Sequence, residues 1–179
     1  MRSRSGRTSR SDAARRHLAE SLGIFRALNH RDGIVYQAIN LGLAEYLASS
    51  PRAAEALFAE SFDLARRMGM RSASAYALLG LAMTGSGADP GWSARLHGAA
   101  AQALADLGQT LEPLEGRLAD LDRRRRRAAM GAGAFQAEYA AGGTPRPGAR
   151  SSPGRARNTG GARSITHGCA GERTGRRIR

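Results

Sequence analysis

The chain has 179 residues, 28 of them basic and 15 acidic, one cysteine and a formal net charge of +13. That length admits one domain with a real core, and a single cysteine excludes an intrachain disulfide framework. No apolar run approaches the roughly 18 residues of a membrane span, and the basic N-terminus leads into Ser11-Asp12-Ala13-Ala14 rather than an apolar stretch, which argues against a secretory signal.

Residues 1–11 are rich in Arg, Ser and Gly and carry no acid; they read as a disordered basic N-terminus. A first helix is predicted after Ser11 or Asp12, either of which suits the N-cap, and runs to about Leu28. Leu18, Leu22, Phe25 and Leu28 give it one apolar stripe. Asn29 to Gly33 is a tight connection. The second helix, about Gly33 to Ala48, is apolar over most of its circumference through Ile34, Val35, Ala38, Ile39 and Leu41, the pattern of a helix held between neighbours. Its least apolar side carries Tyr36, Gln37 and Asn40. Buried polar groups there would need partners, so the three are candidate protein-binding residues facing a groove.

Ser50 as N-cap and Pro51 in the first turn start the third helix. It runs to Met68 with Ala54, Leu57, Phe58, Phe62 and Ala65 inward and stops at Gly69. The fourth covers about Arg71 to Met83, and Thr84 to Gly91 is a loop. The fifth runs from Trp92 to Leu107 and stops at Gly108; Trp92 is expected as a packing anchor. The sixth starts near Pro113, with Leu111, Leu114, Leu118 and Leu121 as its stripe. Arg123, Arg124, Arg125, Arg126 and Arg127 lie toward its C-terminus, where cations meet the helix dipole favourably. A short last helix, Ala134 to Ala141, packs Phe135 and Tyr139 back as a cap. Residues 143–179 are Arg, Gly, Pro, Ser and Thr with almost no large aliphatics, too little apolar surface to offset ordering at roughly 1–2 kcal/mol per residue; they are expected to be disordered.

Three stretches resemble one another. Leu18 to Leu28 aligns with Phe58 to Met68 at an offset of 40, and Met68-Gly69 aligns with Leu107-Gly108 at an offset of 39. Between them, Leu41-Gly42-Leu43-Ala44 and Leu79-Gly80-Leu81-Ala82 stand 38 apart. A period of about 34 to 45 residues with two helices each marks a stacked helix-pair solenoid. Gly42 and Gly80 occupy equivalent places, and a mid-helix glycine costs about 1 kcal/mol against alanine. The expected compensation is close approach of a packed neighbour.

The charge is unevenly placed. Residues 1–10 carry four arginines and no acid, and residues 144–179 carry nine arginines and one glutamate, leaving +1 between them. Every basic residue is arginine, as in coding from a GC-rich genome, which weakens a functional reading of the excess. Arg123–Arg127, partly neutralised by Glu115, Asp120 and Asp122, are the residues through which nucleic acid would be gripped. The arginine-rich ends would bind it weakly and without sequence preference, and no aromatics are interleaved there for base stacking. His167 and Cys169 are two soft ligands without a second pair and make no zinc site. His97 and His30 lack the neighbours of a nucleophile–base–orienter set and are expected to be structural or exposed.

The run AARRHLAESLGIFRAL…GIVYQAINLGLAEYLA…PRAAEALFAESFDLARRMG…SAYALLGLA resembles the tetratricopeptide-like C-terminal region of actinobacterial LuxR-type and AfsR-type regulators that also carry an ATPase module. The following ARLHGAAAQALADLGQTLEPLEGRLADLDRRRRRAAMGAGAFQAEYAAG is similar to the stretch that ends that region. The likeness spans about residues 13–142 and implies a sensor or protein-binding arm. No G-x-x-x-x-G-K-[ST] phosphate loop is present, so nucleotide hydrolysis does not carry over. No helix-turn-helix follows the repeats, so sequence-specific DNA reading does not carry over either.

The expectation is an all-α, tetratricopeptide-like solenoid of antiparallel helix pairs over residues 12–142, with disordered Arg-rich ends at 1–11 and 143–179. It is expected to act as a cytoplasmic, non-catalytic protein-interaction module without cofactor or metal, in a setting of transcription regulation. Its partner would be a protein or peptide. The alternative is a sequence-independent nucleic-acid binder acting through its arginine-rich tails. Only about two and a half helix pairs are present where three repeats are usual, so self-association would supply missing cover. The break at Gly142 and the odd first eleven residues also suit a truncated or frameshifted remnant.

Overall fold

The computed structural model describes residues 5–85 and 89–144. The arginines of residues 145–179, and with them His167 and Cys169, lie outside the described residues. So do residues 1–4 of the N-terminal segment. Within the described residues the chain is all-α: α1 Ser5–Ala27, α2 Arg31–Leu47, α3 Pro51–Arg67, α4 Arg71–Thr84, α5 Pro90–Ala105, α6 Pro113–Met130 and α7 Ala132–Gly143.

α1 begins at Ser5 rather than after Ser11 or Asp12, so the expected unstructured N-terminus is helical from its fifth residue. No proline and, after Gly6, no glycine interrupts the run before Gly23, so helix propagates through the capping signals. Asp12 pairs with Arg15 at 3.3 Å within the helix instead of capping it.

The sequence period is visible in the helix ends. α1, α3 and α5 are followed by Asn29, Gly69 and Gly108, all left-handed, at φ of 50°, 69° and 64°. The next amide in each case bonds back to the last turn: His30 N–H to the Phe25 carbonyl, Met70 to Ala65 and Gln109 to Leu104, each at 2.9 Å. These six-to-one bonds satisfy carbonyls that a helix end leaves free. The aligned positions 29, 69 and 108 therefore share one structural device, with asparagine tolerated where glycine is the easier choice; it also ends α2, where Ser49 has φ of 62° and Ser50 N–H bonds the Glu45 carbonyl at 2.9 Å. His30, at the first of these turns, also accepts the Gly33 N–H on Nδ1 at 3.0 Å and caps α2.

Packing follows the hairpins. α1 meets α2, α2 meets α3, α3 meets α4 and α4 meets α5, while α2–α4 and α4–α6 contacts join the pairs. Leu22, Ile34, Ala38 and Leu41 make one apolar cluster between α1 and α2, and Val35, Ala65 and Ala73 make another across α2, α3 and α4. Phe58 of α3, 2 % exposed, lies between Gly42 of α2 and Gly80 of α4. A methyl group at Gly42 would meet the ring at 2.9 Å, and one at Gly80 would overlap it. Both glycines thus make room for one aromatic side chain, whose burial stabilises the fold by about 2–3 kcal/mol and outweighs the helix-propensity cost.

α7 packs back onto the array, as the expected capping helix does. It, not α6, is the principal neighbour of α5. The two backbones cross where Gly98 faces the Tyr139 carbonyl and Gly142 faces the Arg95 carbonyl, an approach that any side chain would block. Phe135 is buried as expected, and Arg95 bridges to Glu138 at 3.0 Å. Trp92, expected as a packing anchor, is 43 % exposed and packs only in part, near Gly85.

Candidate binding face and a buried polar network

The layer α2–α4–α6 carries an apolar seam. Leu43 and Tyr46 of α2, Leu78 of α4, and Leu111 and Leu118 at α6 pack half-buried around Leu79, Met83, Ala100 and Ala119. Apolar groups on α2 and α6 are left uncovered. Tyr36 and Leu47 on α2 are 53 % and 52 % exposed, and Leu114 and Leu121 on α6 are 40 % and 51 % exposed. Leu47 follows Leu43 by four residues, and Leu114 and Leu121 flank Leu118 at four and three, so each pair continues a packed helix face into solvent.

The expected binding trio divides. Tyr36 and Asn40 face solvent. Gln37 turns inward, and its Oε1 is buried with no hydrogen-bond partner among the described residues. The leucine stripe expected for α6 is also corrected: Leu114 and Leu121 are out, and the buried face is Ala119 and Asp122. The reason is a polar network that α6 must reach.

His97 on α5 is wholly buried, and its Nε2 stands 2.9 Å from Oδ2 of Asp122. The same oxygen accepts from Nε of Arg126 at 2.9 Å, one turn further along α6. Arg126 in turn reaches the carbonyls of Ala82 and Met83, both at 3.4 Å, and Ser93 of α5 donates to Ala82 at 2.7 Å. Those carbonyls belong to the last turn of α4, where no intrahelical donor follows. The buried end of α4 is thus capped by side chains from two other helices. Asp122 supplies the negative charge that lets a guanidinium enter so poorly solvated a place. Burial pushes the Asp122 carboxyl up, but hydrogen bonds from His97 and Arg126 and the positive charge of Arg126 outweigh it. Its pKa is held below the ordinary 3.8. As a carboxylate it only accepts, so Nε2 of His97 carries the proton.

Nδ1 of His97 is then left buried without a partner. No hydroxyl or thiol among the described residues bonds to it: Ser93 is committed to Ala82, and Thr84 donates to Gly80 at 2.9 Å. Tyr46, half-buried nearby, has its phenol pKa raised by burial and by the charge of Asp122, against the opposing pull of Arg125 and Arg126. The arrangement ties α4, α5 and α6 together; it presents no reacting atom to solvent. Among the described residues, no three metal-ligating side chains come together.

The five arginines split three ways. Arg126 is bound into the network, Arg125 is exposed on another side of α6, and Arg123, Arg124 and Arg127 line a cleft toward α7. Arg123 is paired with Asp120. Asp122, which the sequence assigned to partial neutralisation of a solvated run, is 6 % exposed. The spacing Ser93, His97, Ala100, Leu104 places His97 on the core stripe of α5, and Asp122–Arg126 is an i,i+4 ion pair. Both were visible in the sequence. Their meeting, 25 residues apart, was not.

No helix of the described residues is long and apolar enough to cross a membrane. Comparison with protein-family models, with curated proteins and with solved structures finds no match to this chain.

Proposed function

We propose that the chain is a non-catalytic protein-interaction module of the tetratricopeptide-like kind, working in the cytoplasm as an arm of transcription regulation. Its partner segment lies along the α2–α4–α6 layer. The regulatory setting rests on the resemblance to LuxR-type and AfsR-type repeat regions. The binding mode rests on one observation: Tyr36 and Leu47 of α2 and Leu114 and Leu121 of α6 stay exposed on the two helices that flank α4 in that layer. Exposed apolar groups grouped in this way mark interaction surfaces, and helical repeats spread affinity over such faces. The polar network supports a binding role, because its histidine and aspartate are spent on holding helices together.

The test is site-specific photo-cross-linking in cells. A photoreactive residue at Leu47 or Leu121 captures a discrete partner, and Leu47→Asp with Leu121→Asp abolishes capture while the thermal melt is preserved. A photoreactive residue at exposed Ala59 of α3 captures nothing. Capture at Ala59 alone, or no capture at either leucine, overturns the proposal. The alternative, nucleic acid held by arginine-rich ends, draws mostly on residues outside the described part, Arg7 and Arg10 of α1 apart. Within it, the arginine run forms no continuous basic stripe, because Arg126 and Arg123 are paired to Asp122 and Asp120.

A further inference from the structure

Between α6 and α7 lies a cleft of about 350 Å³ lined by Asp120, Arg123, Arg124, Arg127, Phe135, Gln136 and Tyr139. Arg123, Arg124 and Arg127 fall on one side of α6 because they stand at i, i+1 and i+4. Asp120 pairs with Arg123. Arg124 and Arg127 form no ion pair among the described residues, although both are exposed and long enough to reach one. With three arginines against one aspartate, the cleft holds an excess of two positive charges.

The opposite wall is aromatic. Phe135 is buried and Tyr139 half-buried, with ring centroids 5.8 Å apart and planes at 31°. Gln136, exposed on the same wall, offers an amide donor and an acceptor. This wall is held rigidly, because the Gly98 and Gly142 crossings lock α7 onto α5. One side of the cleft is thus cationic and planar-forked, and the other carries two aromatic rings and an amide.

We propose that this cleft binds a phosphate monoester of a molecule that also carries a planar ring. A phosphomonoester bears about −1.5 to −2 charges at neutral pH, which matches the excess of two. Guanidinium forks pair bidentately with phosphate oxygens, and the phosphate sits between Arg124 and Arg127. The ring lies against Tyr139, with Gln136 bonding its polar edge. The volume of this open cleft suits a compact ligand, at the lower end of the roughly 300–1,000 Å³ of small-molecule sites. A nucleic-acid strand would need a basic track along the surface. Here Arg126 points into the core and Arg125 to another side of α6. The cleft lies toward α7 and takes no residue from the α2–α4–α6 face.

The test is calorimetric titration of the full 179-residue chain with adenosine 5′-monophosphate, phenyl phosphate, inorganic phosphate and adenosine. The two ring-bearing esters bind more tightly than inorganic phosphate, and adenosine does not bind. Arg124→Gln with Arg127→Gln weakens both esters by about tenfold or more, the loss of at least one charge-assisted bond. The arginine-rich ends are present in both proteins, so the difference reports the cleft. Tyr139→Leu weakens the ring-bearing esters and leaves inorganic phosphate unchanged, which a mere loss of folding would not do. A tyrosine-phosphorylated octapeptide that binds more tightly than phenyl phosphate makes a phosphoprotein the source. The reverse order makes it a free small molecule, and either order supports the assignment. Unchanged ester binding in the double arginine variant overturns it, as does equal binding of inorganic phosphate and the esters.

Discussion

Nε2 of His97 lies 2.9 Å from Oδ2 of Asp122, and this bond fastens the charged helix α6 to the small-residue helix α5. Around it, Arg126 and Ser93 close the carbonyl end of α4. α6 has little apolar surface turned inward, only Ala119 being fully buried among its hydrophobic residues. Its position therefore depends on polar ties that are expensive to leave half-made.

Asp122→Ala removes the shared acceptor and leaves Arg126 and His97 without their charge partner. The expected loss is about 3 kcal/mol, in the range for breaking a buried ion pair, read as a lower urea midpoint. His97→Leu costs less than Asp122→Ala, because it keeps the Asp122–Arg126 pair and removes the unpartnered Nδ1. Equal losses from the two would show that the histidine, not the ion pair, holds α6.

The depressed pKa of Asp122 has a pH signature. A carboxyl whose folded pKa lies below its unfolded value contributes stability that is fully present above the unfolded pKa and disappears as pH falls through the folded one. The ordinary value is 3.8, so urea midpoints should hold above about pH 5 and drop from about pH 4 downward. In Asp122→Asn the protein is weaker at neutral pH, and the fall below pH 4 is shallower. An identical acid limb in both proteins would remove Asp122 from the account.

Phe58 between Gly42 and Gly80 predicts coupled effects. Gly80→Ala, favourable for an isolated helix, destabilises here by about 1–3 kcal/mol through overpacking, because its methyl would overlap the Phe58 ring. Phe58→Leu on its own costs about 1 kcal/mol. Together they cost less than their sum, since the smaller side chain makes room. Strict additivity in urea melts would contradict the contact.

Ser49 follows α2 with φ of 62°, a left-handed conformation that a side chain resists by roughly 1 kcal/mol. Ser49→Gly should raise stability by about 0.5–1 kcal/mol, whereas Gly69→Ala, at φ of 69°, should lower it by a similar amount. Thermal melts of the pair give opposite signs. A shared sign would mean that the backbone angles do not govern these turns.

Much of this architecture was written in local pattern. The 40- and 39-residue offsets already marked positions 29, 69 and 108 as equivalent, because the left-handed residue that ends a helix is chosen by backbone sterics alone. Gly42 and Gly80, at equivalent places in two helices apolar over most of their surface, already called for a close neighbour to offset the cost of glycine in mid-helix. Helix type and approximate bounds followed from apolar spacing, which is a property of one segment at a time. What the tertiary structure alone decided was pairing across distance. It chose Phe58 as the shared neighbour, α7 rather than α6 as the partner of α5, and Asp122 rather than Leu114 and Leu121 as the inward face of α6. These choices turn on which helix end lacks hydrogen-bond donors and which surfaces fit once packed. They are sums over the whole fold, and no window of sequence contains them.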